Sequence, residues 1–237
     1  MGAILMYHYL GGAPAGHGHP ALFVPPEVFR DQLAGLRGMG LRSVLGPEVD
    51  AGLGTPALER TVWLTFDDGM ADNFEPGLRL LKDAGMTATF FIIAERSLGG
   101  APGHMDLAQL RELLAEGMEV GAHTLTHPRL PTLGDAELRR EVADSKARLE
   151  DALGAPVPSF AYPYGAYCDR SVRAVQEAGF RVAVSTIRGN RNGPGDRFLL
   201  RRVMVQPDRT GLRFRYSFTP FYRWAHDWKN RRRHGRA

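Results

Sequence analysis

The strongest limit on how this chain can fold is a recurring cadence. A segment with apolar residues at helical spacing meets a glycine, and a short run rich in β-branched and aromatic residues follows. Glu27 to Met39, with Val28, Phe29, Leu33 and Leu36 in register, reaches Gly38 and Gly40 before Leu41 to Leu45. Leu78 to Ala84 with Gly85 leads into Met86 to Ile93, Asp106 to Glu116 with Gly117 into Met118 to Ala122, and Ser171 to Ala178 with Gly179 into Phe180 to Thr186. Asp135 to Leu153 stops at Gly154 ahead of Ser159 to Tyr162. Glycine closes a helix because it accepts the left-handed conformation that ends the hydrogen-bond ladder. Strands alternating with helices of this length form parallel βαβ units with right-handed crossovers. With an opening strand at Ala3 to Tyr9, another entering at Thr61 and a last one at Leu199 to Val205, about seven strands are expected, which suits a closed or nearly closed barrel and equally an open doubly wound sheet. The 237 residues, 43% of them hydrophobic, are enough for the core of a single domain, read here as a body over 1–207 and a tail over 208–237.

The chemistry collects where these strands end. Thr61-Val62-Trp63-Leu64 runs into Thr65-Phe66-Asp67-Asp68-Gly69, so two adjacent carboxylates stand at the carboxyl end of a buried strand. Catalytic groups gather at that end in α/β folds, and neighbouring strand residues point to opposite sides, so one carboxylate can hold a metal while the other stays free as a base. The plain alternative is an ordinary Asp-Asp-Gly turn. A second strand, Met118 to Ala122, ends at His123-Thr124-Leu125-Thr126-His127. Histidines four apart on one helical turn can give a metal two imidazole ligands, and Asp-His-His leaves a coordination position open, as in catalytic rather than structural sites. The single cysteine, Cys168, allows no intramolecular disulfide and no cysteine-based zinc site. The third stretch, Phe160-Ala161-Tyr162-Pro163-Tyr164-Gly165, reads either as a Pro/Gly turn or as a loop that aims the Tyr164 backbone N–H at a developing oxyanion, with rings to receive a sugar face.

Taken together, TFDDG at 65–69, HTLTH at 123–127 and YPYG at 162–165, in that order, resemble the polysaccharide deacetylases of carbohydrate esterase family 4. The resemblance covers the chain from about Ala3 to Val205. It implies an α/β fold, a deformed (β/α) barrel with fewer units than the common eight. It also implies a divalent metal, usually zinc (Zn2+), on Asp68, His123 and His127, with Asp67 as general base and the Tyr164 N–H beside the oxyanion. The implied reaction removes N-acetyl groups from an amino sugar in a polysaccharide, an oligosaccharide or a lipid-linked glycan.

The sequence departs from the family pattern in two places. Ala161 stands where an Arg often orients the base, and Leu199 to Val205 lacks the histidine that usually acts as general acid. Arg201 and Arg202 are both candidates to replace the Arg. His8, at the rim end of the first strand, is the candidate acid, because in a closed barrel the first strand neighbours the last; a structural histidine is the plain alternative. His104 is a weaker candidate, and His17 and His19 read as loop residues. These departures keep two alternatives in view: a deformylase or other amidohydrolase of a lipid-linked sugar, and a catalytically silent glycan-binding relative.

The net charge of +4 hides a split. Residues 209–237 carry nine Lys or Arg and one Asp, net +8, leaving 21 basic against 25 acidic residues, net −4, for the rest. The basic segment is interleaved with Phe214, Tyr216, Phe218, Phe221, Tyr222, Trp224 and Trp228. Such a mixture suits an anionic membrane surface, could also contact nucleic acid or an acidic glycan, and in its plainest reading is a helix packed on the body with a solvated basic end. The acidic body argues against nucleic acid as the partner. The chain shows neither a charged start followed by an apolar stretch nor a membrane-length apolar run. It is therefore expected to be cytoplasmic or peripheral to a membrane as it stands, with secretion open to a chain trimmed of its leader.

Overall fold

The computed structural model describes residues 3–13 and 18–234, with backbone alone at Lys229 and at 231–234. His17, the side chains of Lys229 and Arg231 to Arg233, and residues 235–237 of the tail lie outside the described residues. The strands in chain order are β1 (Ala3–Tyr7), β2 (Arg42–Ser43), β3 (Thr61–Phe66), β4 (Ala88–Ile92), β5 (Glu119–Ala122), β6 (Ser159–Ala161), β7 (Val182–Arg188) and β8 (Leu200–Met204). The helices are α1 (Pro26–Gly38), α2 (Gly46–Gly52), α3 (Arg79–Ala84), α4 (Ala94–Leu98), α5 (Leu107–Ala115), α6 (Asp135–Leu153), α7 (Asp169–Glu177), α8 (Gly211–Tyr216) and α9 (Pro220–His234). Helices α2 and α4 were not expected, being only 7 and 5 residues long and so too short for a periodic pattern.

Closure decides between the two architectures left open by the strand count. The sheet runs β1-β8-β7-β6-β5-β4-β3, and β3 pairs back onto β1, with Ala3 beside Val62 through Tyr7 beside Phe66. All pairings are parallel. The fold is therefore a closed (β/α) barrel of seven strands, and β2 only lies alongside the start of β3. Gly85 and Gly154 end α3 and α6 with φ of 62° and 64°, as the cadence requires.

Strand alternation sorts the side chains into two layers. Val62, Leu64 and Phe66 of β3 face outward with Leu5 and Tyr7 of β1 and Phe90 of β4, and join the core formed with Phe29, Leu33 and Leu36 of α1. Ile4, Trp63, Phe91, Ala161, Val184 and Leu200 belong to a separate inner cluster, joined by Val49 and Leu53 at the amino end of the barrel. Gly46 must be glycine there: its N–H donates to buried Glu119 at 2.7 Å, and a side chain at this position would collide with Ser159. The C-terminal helices pack on the outer wall through Phe214 and Tyr222, which are both buried.

Candidate active site

The same alternation builds the site. On β3 the inward series is Thr61, Trp63, Thr65 and then Asp67, one residue beyond the strand, with the Asp67 N–H donating to Tyr7 O at 3.0 Å. His8 follows β1, His123 follows β5 with its N–H on Ile92 O at 2.8 Å, and Arg202 lies between inward Leu200 and Met204 on β8. Four elements thus bring a base, a cation and two imidazoles to one rim.

Arg202 answers the missing third-motif arginine. Its Nη1 and Nη2 donate to Asp67 Oδ1 and Oδ2, each at 2.7 Å, Nη1 also reaches Thr65 Oγ1 at 3.1 Å, and Nε donates to Ser185 O at 2.8 Å. With Arg202 1% and Asp67 3% exposed, this is a buried two-pronged pair. Arg201, one position away, faces outward and pairs with Asp227 at 2.9 Å. Burial presses the Asp67 carboxyl upward, but the charge and hydrogen bonds of Arg202 outweigh it and hold the carboxyl below its ordinary value. Asp67 stays ionised and fixed in orientation.

Asp68 leaves the alternating pattern, because its φ of 75° turns its carboxylate back toward the rim. His123 Nε2 and His127 Nε2 lie 3.5 and 3.4 Å from Asp68 Oδ1 and 3.2 Å from each other. The one-helical-turn expectation for the histidines is corrected. Residues 123–129 form no helix, and Thr124 and His127 have φ of 67° and 70°, so the ligands converge through two left-handed residues rather than through helical spacing. Of the five non-glycine residues at positive φ among the described residues, Asp68, Thr124, His127 and Tyr164 are in the site, a concentration of backbone strain that persists only where surroundings enforce it.

In the histidine loop the enforcing group is Glu141 of α6, which the sequence reading missed. It is 6% exposed; its Oε2 accepts from the Leu125 and Thr126 N–H groups, each at 3.0 Å, and its Oε1 from Thr126 Oγ1 at 2.7 Å. Thr124 Oγ1 accepts the His127 N–H at 3.0 Å. The available signal was a carboxylate on the apolar stripe of a helix, since Glu141 falls among buried Leu138, Val142, Ser145 and Leu149. Glu141→Ala would leave the buried Leu125 and Thr126 N–H groups without their acceptor. It is expected to weaken zinc binding by about 10- to 100-fold, as loss of a group that orients metal ligands commonly does. Chelator competition on folded protein measures this, and an affinity within twofold of wild type would show that the loop holds its shape without Glu141.

The donor set fits a divalent cation. Asp68, His123 and His127 offer ligand atoms all within 4.8 Å of one another, and two nitrogens with one carboxylate oxygen suit zinc. The Nδ1 of His123 lies 2.7 Å from Ala161 O, an arrangement that fixes the ring and leaves Nε2 for the cluster. Burial and the neighbouring His123 push His127 down to about 4, so it is neutral and able to ligate.

His8 Nε2 stands 3.9 Å from Asp67 Oδ2, and β1 does neighbour β8. Burial lowers the His8 pKa against the upward pull of Asp67 and Asp68. Tyr164, at φ 58° and 56% exposed, holds its ring 4.6 Å from that of His127, under the Arg129 guanidinium at 4.5 Å. These groups surround a cavity of about 460 Å³ whose other walls include His19, Leu22, Tyr162, Thr186 and Met204. The Tyr162 hydroxyl is buried with no hydrogen-bond partner among the described residues. His19 is thus both a loop residue and part of the cavity wall. His104 is outside that wall, 3.3 Å from Pro102 O and 3.4 Å from Arg96.

Comparison with known proteins gives concordant results. The family model described as polysaccharide deacetylase matches residues 54–183. YxkH of Bacillus subtilis is 29% identical over 213 residues, which are 89% of this chain and 74% of that protein. A chitooligosaccharide deacetylase of Sinorhizobium fredii is 34% identical over 54% of this chain and 56% of its own length, so the chain spans little more than half of that relative. The structure of the Streptococcus pyogenes deacetylase PplD in complex with acetate superposes with a TM-score of 0.86 at 28% identity, covering 92% of this chain and 98% of that one.

Proposed function

The chain belongs to the polysaccharide deacetylase family, and we propose that it is a metal-dependent hydrolase removing N-acetyl groups from amino sugars of a glycan. One observation carries this reading: a carboxylate held by Arg202 stands beside an Asp-His-His cluster at the floor of an open cavity. A binding module has no use for a buried base oriented in this way. The similarity to a deacetylase whose structure holds acetate supports the choice of acyl group.

In this reading Asp68, His123 and His127 hold the divalent ion, zinc by its donor set, which when bound acidifies water and polarises the acyl carbonyl. Asp67, ionised and immobilised by Arg202, takes a proton from the attacking water. The Tyr164 backbone N–H, in a loop set at φ 58°, stabilises the oxyanion, and its exposed ring offers a face to the sugar. His8 hands a proton to the departing nitrogen as the C–N bond breaks, giving acetate and a free amine. Ala161 costs the site nothing, because the fork that an arginine there would provide comes from β8 instead.

The test compares acetate release from N-acetylglucosamine oligomers with formate release from the N-formyl analogues, using wild type and His8→Ala. Acetate as the preferred product is expected. His8→Ala should lower kcat by about 10²-fold or more, and because burial lowers the His8 pKa, the alkaline limb that His8 sets in wild type should fall at lower pH than an ordinary histidine would give and be absent from the variant. Preference for the formyl substrate would replace the deacetylase reading with a deformylase one, and unchanged turnover across pH would remove His8 from the mechanism.

A further inference from the structure

Outside the catalytic cavity, the feature the proposed reaction does not use is the pair of C-terminal helices, which divide into an anchored face and a presented face. On α9, Tyr222, Asp227 and Asn230 turn toward the barrel. Tyr222 is 2% exposed, Asp227 pairs with Arg201 at 2.9 Å, and Asn230 Nδ2 donates to Arg188 O at 2.8 Å. Phe221 and Trp224, in contrast, are 74% and 72% exposed, and Trp228, at 49%, continues the i, i+3, i+7 stripe. On α8, Phe214 is buried while Leu212, next to Arg213, is 84% exposed. Large rings are thus held outward on helices whose other side is fixed by ion pairing, hydrogen bonding and burial.

Burying these rings would be favourable, and a soluble surface rarely shows so many together. Charge identifies what they meet: residues 209–237 are net +8, against a body that is net −4. We propose that the exposed face of α8 and α9 docks on an anionic phospholipid surface. Phe221, Trp224 and Leu212 enter the headgroup boundary, and the neighbouring Arg213, Arg215 and Arg223 meet lipid phosphates. Trp and Phe favour that boundary because a ring is apolar over most of its area, while the cations are drawn by the negative surface potential. No described helix is long and apolar enough to cross a membrane, which fits contact from one side. The anchor at Arg188, two residues past cavity-lining Thr186, ties the docking helix to the catalytic rim. Docking would thereby hold the deacetylase beside glycan assembled at a membrane.

The test uses full-length protein and vesicles of phosphatidylcholine with and without phosphatidylglycerol. Binding is read by co-sedimentation and by the blue shift of tryptophan fluorescence, to which exposed Trp224 and Trp228 contribute and Trp63, already buried, should not. Wild type should bind the phosphatidylglycerol vesicles, weakening as salt is raised, and barely bind the neutral ones. The double variant Phe221→Ser, Trp224→Ser should lose at least about tenfold in partitioning, while zinc affinity and far-ultraviolet circular dichroism stay at wild-type values. Three results would overturn the proposal: no vesicle binding by wild type; binding unaltered by the double substitution; or a dimer that the double substitution dissociates, in the absence of vesicle binding, which would assign the face to a second copy of the chain.

Discussion

Asp67→Asn is expected to lower kcat for the proposed acetate release by about 10²- to 10⁴-fold, the usual cost of removing a general base, with no loss of zinc affinity. Two carboxylates adjacent in sequence serve separate ends here. Asp68 lies against both imidazoles, whereas Asp67 faces Arg202 and lies outside the ligand cluster. An amide is nearly the same shape as a carboxylate but accepts no proton at neutral pH, so the loss should fall on kcat and leave zinc affinity alone. A variant retaining more than a tenth of wild-type turnover would show that Asp67 is not the base. A variant that lost its zinc would show that both carboxylates are ligands.

Removal of the partner should be felt in stability as well as in rate. Arg202→Met leaves the Asp67 carboxylate buried and unpaired, and breaking a buried pair in this way costs about 3–5 kcal/mol. The sign with pH follows from the direction of the shift. In wild type the Asp67 pKa is held below its ordinary value, so the pair contributes stability above the unfolded-state pKa and loses it as pH falls through the folded one. Without Arg202, burial is opposed only by the weaker pull of His123 and His8, and the pKa rises. The variant's deficit should then be largest at neutral pH and shrink on acidification, and the acid limb of kcat/KM should move to higher pH. Arg202→Lys, which keeps a charge but not the fork, should fall between the two in both respects. Thermal unfolding and rate profiles across pH measure this, and an acid limb that stays in place in Arg202→Met would mean that Asp67 takes its ionisation from elsewhere.

Much of this was legible in the sequence because it follows from period and order. The helix, glycine and strand cadence implied parallel βαβ units, and the three motifs following their strands put Asp67, Asp68, His123, His127 and Tyr164 on one rim. The choice between Arg201 and Arg202 was not, because Leu199-Leu200-Arg201-Arg202-Val203-Met204 offers apolar residues in both phases of a strand, and only the structure's inward Leu200 sends Arg202 in and Arg201 out. Other features depended on information a linear pattern does not hold. Barrel closure rests on β1 pairing with β3 rather than with β2, a choice made by tertiary packing. His-x-x-x-His spacing is the same on a helix and on a loop, and only the left-handed Thr124 and His127, secured by a glutamate 14 residues beyond His127, make it a loop. In the tail, Tyr222 and Trp224 are alike in composition and opposite in role; the helix phase that buries the one and presents the other is set where Asp227 finds Arg201.

The central claim is that one Asp-His-His metal site drives deacetylation, and a zinc titration tests it most directly. Zinc is added stepwise to metal-free protein while bound metal and acetate released from N-acetylglucosamine oligomers are followed together, with His123→Ala alongside. Acetate release should rise with bound zinc and level off at about one equivalent per chain, and the variant should show neither tight zinc binding nor release. Acetate release that ignores zinc, or zinc that binds as tightly to the variant as to wild type, would contradict the account.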